Sequence, residues 1–183
     1  MTTTAWIIVA IVIVAAVAIL LYLREQRSRR LRSRFGPEYE QAVRQYGSST
    51  KAEAALLERQ KRVERIHIHS LTPTERDRFA EQWRDAQSQF VDDPSGAIDR
   101  ADQLVCEVMR ARGYPMSGFE GRAEDLSVDH PSVIRNYRAA HAIASKRGHS
   151  ESSTEDLRLA LVFYRELFDE LLEVHGAERK NVR

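Results

Sequence analysis

The first 23 residues carry no charged side chain, and residues 5–23 are 19 consecutive apolar residues. No other feature constrains this chain as strongly. A helix of that length rises roughly 28 Å, close to the ~30 Å thickness of a bilayer's hydrocarbon core. In lipid every backbone N–H and C=O must find its partner within the segment, which selects helix despite the many Ile and Val residues. Trp6 and Tyr22 stand at the two ends, where amphipathic rings favour the interface. Ala16-Val17-Ala18 also reads as a small-x-small cleavage site. However, residues 1–4 lack the basic n-region of a signal peptide, and the apolar run continues to Leu23. An uncleaved anchor is the expectation.

Charge sets the expected orientation. No Lys or Arg precedes the run, and Arg24, Arg27, Arg29, Arg30, Arg32 and Arg34 follow it, opposed only by Glu25. Basic flanks stay in the cytoplasm, so the N-terminus is expected outside and the remainder inside a cell (inner) membrane. The six arginines are expected to meet anionic lipid head groups. The overall charge of +1 hides a flank of +5 at 24–34 and a body of −4 at 35–183. A mildly acidic body argues against nucleic-acid binding. The single cysteine, Cys106, excludes a disulfide scaffold and suits a cytoplasmic domain.

Residues 35–183 read as all-α. Pro37, Pro73, Pro94, Pro115 and Pro131 fall near helix starts or breaks, and Gly47, Gly113, Gly148 and Gly176 follow periodic segments as stops. Period-2 alternation is confined to Ile66-His67-Ile68-His69, too short for a sheet. The organisation expected is a membrane anchor with its basic flank (1–34), a helical stalk or linker (35–71), a soluble bundle of about four helices (72–176) and a frayed tail (177–183).

The stalk comprises a helix over 37–46 after Gly36-Pro37 and another over 50–66. The second is opened by a Thr50/Glu53 capping box and carries a thin apolar line of Leu56, Val63 and Ile66. In the bundle, Thr72-Pro73-Thr74-Glu75 is a second capping box. It precedes the stripe Phe79, Trp83, Ala86, Phe90, at spacings of four, three and four. Asp93-Pro94 opens a helix whose buried line is Ile98, Ala101, Val105 and Val108, with Leu104 and Met109 beside it. Residues 116–130 read as a loop with at most a short helical turn at 120–126. Pro131 opens a helix with Ile134, Tyr137, His141 and Ala144 at helical spacing, and the polar residues 150–153 end it. The last helix, 154–175, is the most strongly amphipathic. Leu157, Leu161, Tyr164, Phe168 and Leu171 form its stripe, widened by Leu159, Phe163, Leu167 and Leu172, which predicts a central position.

Chemistry-bearing residues are few. Cys106 lies beside a buried line with nothing nearby to lower its pKa, and reads as a structural thiol. Of His67, His69, His130, His141, His149 and His175, no two are spaced i, i+4 on a helix. His67 and His69 make a weak metal pair, and His141 is expected to be a hydrogen-bonded core histidine. Asp129-His130-Pro131 is the most suggestive constellation. It reads first as a cap for the helix that Pro131 begins, and alternatively as a general base or metal site completed by Tyr137. Adjacent carboxylates such as Asp92-Asp93 and Asp169-Glu170 do not face each other on a helix. No catalytic, cofactor or metal residue is assigned on this reading.

Phe90 to Pro115, FVDDPSGAIDRADQLVCEVMRARGYP, and Leu126 to His141, LSVDHPSVIRNYRAAH, resemble a group of bacterial single-pass membrane-anchored helical proteins without an assigned activity. The resemblance spans about residues 70–175 and implies a bacterial membrane protein; it transfers no site residue. The expected function is a non-enzymatic adaptor or scaffold at the membrane's cytoplasmic face. Its partner surface is placed on 112–130 (Tyr114, Met116, Phe119, Leu126) and on the line Leu56, Val63, Ile66. The alternatives are a metal-dependent sensor or enzyme around Asp129 and His130, and an envelope protein with the bundle outside.

Overall fold

The computed structural model describes residues 3–146 and 153–172, and those residues form helices without strands. The elements are α1 (Thr3–Phe35), α2 (Pro37–Tyr46), α3 (Ser49–Glu64), α4 (Pro73–Gln89), α5 (Pro94–Ala111), α6 (Phe119–Asp129), α7 (Ile134–Lys146) and α8 (Thr154–Leu172). The expected all-α class is what forms. The chain divides into two compact units, Met1–Leu56 and Leu57–Arg183, with the division inside α3. The expected features at Gly148, His149, residues 150–152, His175, Gly176 and 177–183 lie outside the described residues.

In the first unit, the apolar run and the arginine flank are one unbroken helix, α1, about 50 Å long at 1.5 Å per residue. It is long and apolar enough to cross a membrane over Val9–Phe35. Gly36 ends it with φ 50°, a conformation open to glycine and costly for other residues, and Pro37 starts α2 with its preset φ. Tyr39 of α2 is the unit's hub. Its ring is buried, with the Arg32 guanidinium 5.1 Å from its centroid. Its hydroxyl donates to Glu53 Oε1 at 3.0 Å and lies 3.2 Å from Ser28 Oγ. One side chain thereby ties α1, α2 and α3 together. This also explains why the Thr50/Glu53 capping box does not form: Glu53 is taken by Tyr39 and Thr50 accepts from Arg24. Ser48 caps α3 instead, its Oγ accepting from the Lys51 N–H at 3.3 Å.

The second unit has one apolar core, built by α4, α5, α6, α7 and α8. The Thr72 capping box and the Asp93 cap both form as expected, each followed by a proline in the first turn. The stripe Phe79, Trp83, Ala86 is buried, and Trp83 stacks on Phe168 of α8 with centroids 4.5 Å apart. The expected α5 line, Ile98 to Met109, is wholly buried. α8 packs against both α5 and α7, the central position its wide stripe requires. Its buried face is Leu157, Ala160, Tyr164, Leu167, Phe168 and Leu171, while Leu159 faces outward.

Two expectations change here. Residues 119–129 are a full helix, α6, because Ala123 and Leu126 enter the core while Phe119 packs against it. The following helix starts at Ile134, not Pro131; residues 131–133 form a turn.

Residues 57–71, expected in the stalk, belong to the bundle's compact unit. The buried face of α3 is Ala52, Leu56, Arg59 and Val63, at helical spacing, with an arginine inside the line. Arg59 Nη2 donates to Glu124 of α6 at 2.8 Å, and Arg62 bonds Glu124 and Asp125 at 3.1 and 2.7 Å. Downstream, residues 65–72 run without regular structure past the end of α5, where the His69 N–H donates to the Arg112 carbonyl. Gly113 sits there at φ 88°, and a Cβ on it would lie 2.7 Å from the His67 carbonyl oxygen, so backbone approach demands glycine.

Candidate functional site

Five polar side chains meet where α5, α6 and α8 come together: Arg112, Tyr114, Asp129, His130 and Glu170. α5 ends at Ala111, and the turn through Gly113 places Arg112 and Tyr114 back against the bundle, both buried. His130 is the C-cap of α6, its N–H donating to the Leu126 carbonyl at 2.8 Å. It therefore closes the helix before it, where the sequence suggested a cap for the helix after it. Glu170 comes from α8, one position before the Leu171 carbonyl that accepts from Arg112 Nη1 at 3.0 Å. A guanidinium near the end of a helix is favourable against its dipole.

The His130 side chain is only 6% exposed. Its Nδ1 lies 3.2 Å from Glu170 Oε1, and its Nε2 lies 3.4 Å from the Tyr114 hydroxyl. That hydroxyl also reaches Asp129 Oδ2 at 3.5 Å. Both ring nitrogens thus face protein partners. The pattern fits a neutral imidazole donating from Nδ1 to the Glu170 carboxylate, with the single Tyr114 hydroxyl proton shared between Nε2 and Asp129 Oδ2. Burial holds the His130 pKa below the ordinary histidine value, assisted by the charge of Arg112 and resisted by Glu170 and Asp129. The arrangement bonds three elements together and leaves no ring nitrogen pointing at open space.

Tyr137 does not join this cluster. Its ring sits in the core against Phe119 and Tyr164, and its hydroxyl faces Arg122. Burial pushes its pKa up to about 12. The grouping of Asp129, His130 and Tyr137 is corrected accordingly: the first two lie together and the third lies in another environment. The residues near Tyr137 are Arg122, Asp102 and Cys106. Burial also raises the Cys106 thiol, as a structural cysteine requires. His141 is half-buried and stacks on Phe119 at 3.6 Å between centroids, a packed ring in place of the expected hydrogen-bonded one. His67 and His69 are both exposed in the 65–72 segment. Among the described residues no group of three or more His, Cys, Asp or Glu side chains could hold a metal ion.

The surface proposed from sequence for a partner is largely occupied. Tyr114, Leu126, Leu56 and Val63 are buried, and Phe119 and Ile66 are half-buried. Met116 alone of that set stays exposed. The physical reason is that 119–129 and α3 each present an apolar face, and the chain itself covers it. Sequence reasoning missed Arg112 and Glu170 because their partners lie 59 and 40 residues away. An arginine beside a helix-ending glycine, Arg112-Gly113, was the available signal.

The basic flank resolves into two sets. Arg24 donates to Thr50 at 3.1 Å, Arg32 pairs with Glu40 at 3.2 Å, and Arg29 pairs with Glu25 at 3.0 Å. Arg27, Arg30 and Arg34 are exposed, and their guanidinium groups make no hydrogen bond or ion pair among the described residues. An open polar groove lies beside the first set, lined in part by Arg24, Ser28, Ser49, Thr50 and Glu53. Compared with protein families, curated proteins and solved structures, the chain finds no match.

Proposed function

We propose that this chain is a single-pass membrane protein whose helical bundle works as an interaction module at the cytoplasmic face, holding a protein partner near the inner membrane. One observation carries the reading. Every described apolar side chain of α1 from Val9 to Leu23 is exposed, an apolar surface on all sides of the helix. A helix apolar on every side has lipid as its natural solvent. The arginine flank that continues the same helix supports placement of the bundle on the basic side. Tethering raises the bundle's effective concentration toward any partner at that surface without high intrinsic affinity. Leu159 and Val162, one turn apart on the outer face of α8 and each 39% exposed, are the place to look for that partner.

The test is topology first. Val91, 83% exposed, is replaced by cysteine in a Cys106→Ser background. An impermeant maleimide is expected to label it only after the cells are opened. Labelling of intact cells would overturn the cytoplasmic placement and give the envelope arrangement instead. A photo-crosslinking residue at Leu159 then captures the partner in intact membranes; a capture profile identical to that from buried Leu167 would remove α8 as the docking face.

A further inference from the structure

We infer that the basic flank is divided in labour: Arg27, Arg30 and Arg34 form a stripe on α1 that binds anionic phospholipid head groups, while Arg24 and Arg32, equally exposed, are engaged as surface braces by Thr50 and Glu40 of their own chain. This rests on the reading that α1 spans a bilayer. At 100° per residue, positions i, i+3 and i+7 fall on one helix face. All three side chains on that face are exposed, and their guanidinium groups have no hydrogen-bond or ion-pair partner among the described residues. The neighbouring face is used internally. Leu31 and Phe35 are buried there, Arg24 reaches Thr50 of α3, and Arg32 reaches Glu40 and the Tyr39 ring of α2. A residue already holding a hydroxyl or carboxylate of its own chain gives up that contact to take a phosphate. The stripe residues give up only water.

Geometry adds a gradient. With α1 upright and Leu23 at the hydrocarbon edge, the Cα atoms of Arg27, Arg30 and Arg34 stand roughly 6, 10 and 16 Å beyond it. The head-group layer is about 5–8 Å deep on each side. Side chains on a helix lean toward its N-terminus, which here is back toward the bilayer. Arg27 and Arg30 therefore reach the phosphates directly, and Arg34 acts mainly through its field, which salt screens over about 8 Å. The guanidinium fork matches a phosphate's oxygens bidentately. The partner is the phosphodiester of an anionic lipid.

The experiment uses the full chain reconstituted in vesicles of phosphatidylcholine with about one-fifth phosphatidylglycerol. Spin-labelled forms of each lipid report the fraction immobilised by the protein. The wild-type chain is expected to retain the labelled phosphatidylglycerol in preference to the labelled phosphatidylcholine. Arg27→Gln and Arg30→Gln each reduce that preference by up to about fivefold and Arg34→Gln by less, and the triple variant brings it to parity. Arg24→Gln and Arg32→Gln leave it unchanged. Equal losses from Arg24→Gln and Arg27→Gln would overturn the division of labour, since the preference would then track net charge alone. A wild-type chain that immobilises both lipids equally would overturn the stripe while leaving the membrane anchor intact. Immobilisation of neither lipid would instead remove the anchor reading on which the stripe depends. Far-UV circular dichroism confirms that the exposed Gln variants keep their helix content.

Discussion

The two compact units of this chain are both helical, but different forces hold them. The bundle unit is built on apolar burial, with α4, α5, α7 and α8 contributing continuous faces to one core. The first unit has few buried apolar side chains and relies on polar ties through Tyr39, Arg24 and Arg32. Apolar burial is additive and tolerant of small shifts, whereas hydrogen bonds to charged groups are directional and open to water. The same secondary structure can therefore be cooperative in one region and locally adjustable in the next.

That difference can be broken by mutation, starting with the largest expected effect. Phe168→Ala removes the ring that stacks on Trp83 and is expected to cost the bundle about 3–5 kcal/mol, read by urea unfolding of the full chain in detergent. A loss below about 1 kcal/mol would mean that apolar packing is not what chiefly holds the bundle. Arg62→Ala leaves the Asp125 side chain, 3% exposed, without its 2.7 Å partner, at a cost of roughly 1–3 kcal/mol in the same assay. Burial already holds Asp125 above the usual carboxylate range despite Arg62, so the variant should raise it further, visible as an upward move in its NMR titration.

Thr72→Ala removes a formed capping box and should cost about 1 kcal/mol. Tyr39→Phe tests the other unit. It deletes the bond to Glu53, about 0.5–1.5 kcal/mol, and should increase amide exchange at the start of α3 while leaving bundle unfolding unchanged. A shifted bundle transition would show that the two units unfold as one.

The smallest effect at neutral pH belongs to His130. Its folded pKa is depressed, so the unfolded chain binds the proton more readily. Its contribution is intact above about pH 6.5, the ordinary histidine value, and falls as pH drops below it. Measured against pH, stability should decline more steeply in the wild-type chain than in His130→Phe over that range; parallel curves would mean that the imidazole is not the titrating group.

Much of the bundle was legible from local pattern. Asp93-Pro94, Thr72-Pro73-Thr74-Glu75 and the stripe Phe79, Trp83, Ala86 act through spacings within one or two turns, and those spacings are written in the sequence. α6 was legible only in part, because its apolar positions are few and its flanking glycines and prolines resemble a loop. The candidate site was legible as two of its five members. Asp129 and His130 are neighbours in sequence, whereas Arg112 and Tyr114 arrive from the turn after α5 and Glu170 from α8. The third partner chosen from sequence, Tyr137, was near in number and distant in environment.

The sequence by itself determined the helical class, the long apolar helix with its basic flank, and most helix starts, because periodicity, caps and composition act over short range. Only the tertiary structure decided which charges are engaged. It placed Arg59 and Arg62 against Glu124 and Asp125, drew His130 between Tyr114 and Glu170, and separated Arg24 and Arg32 from Arg27, Arg30 and Arg34. A charged side chain spends its interaction energy on whatever opposite group folding brings within a few ångströms, and that proximity is set by how helices pack rather than by the order of residues along the chain.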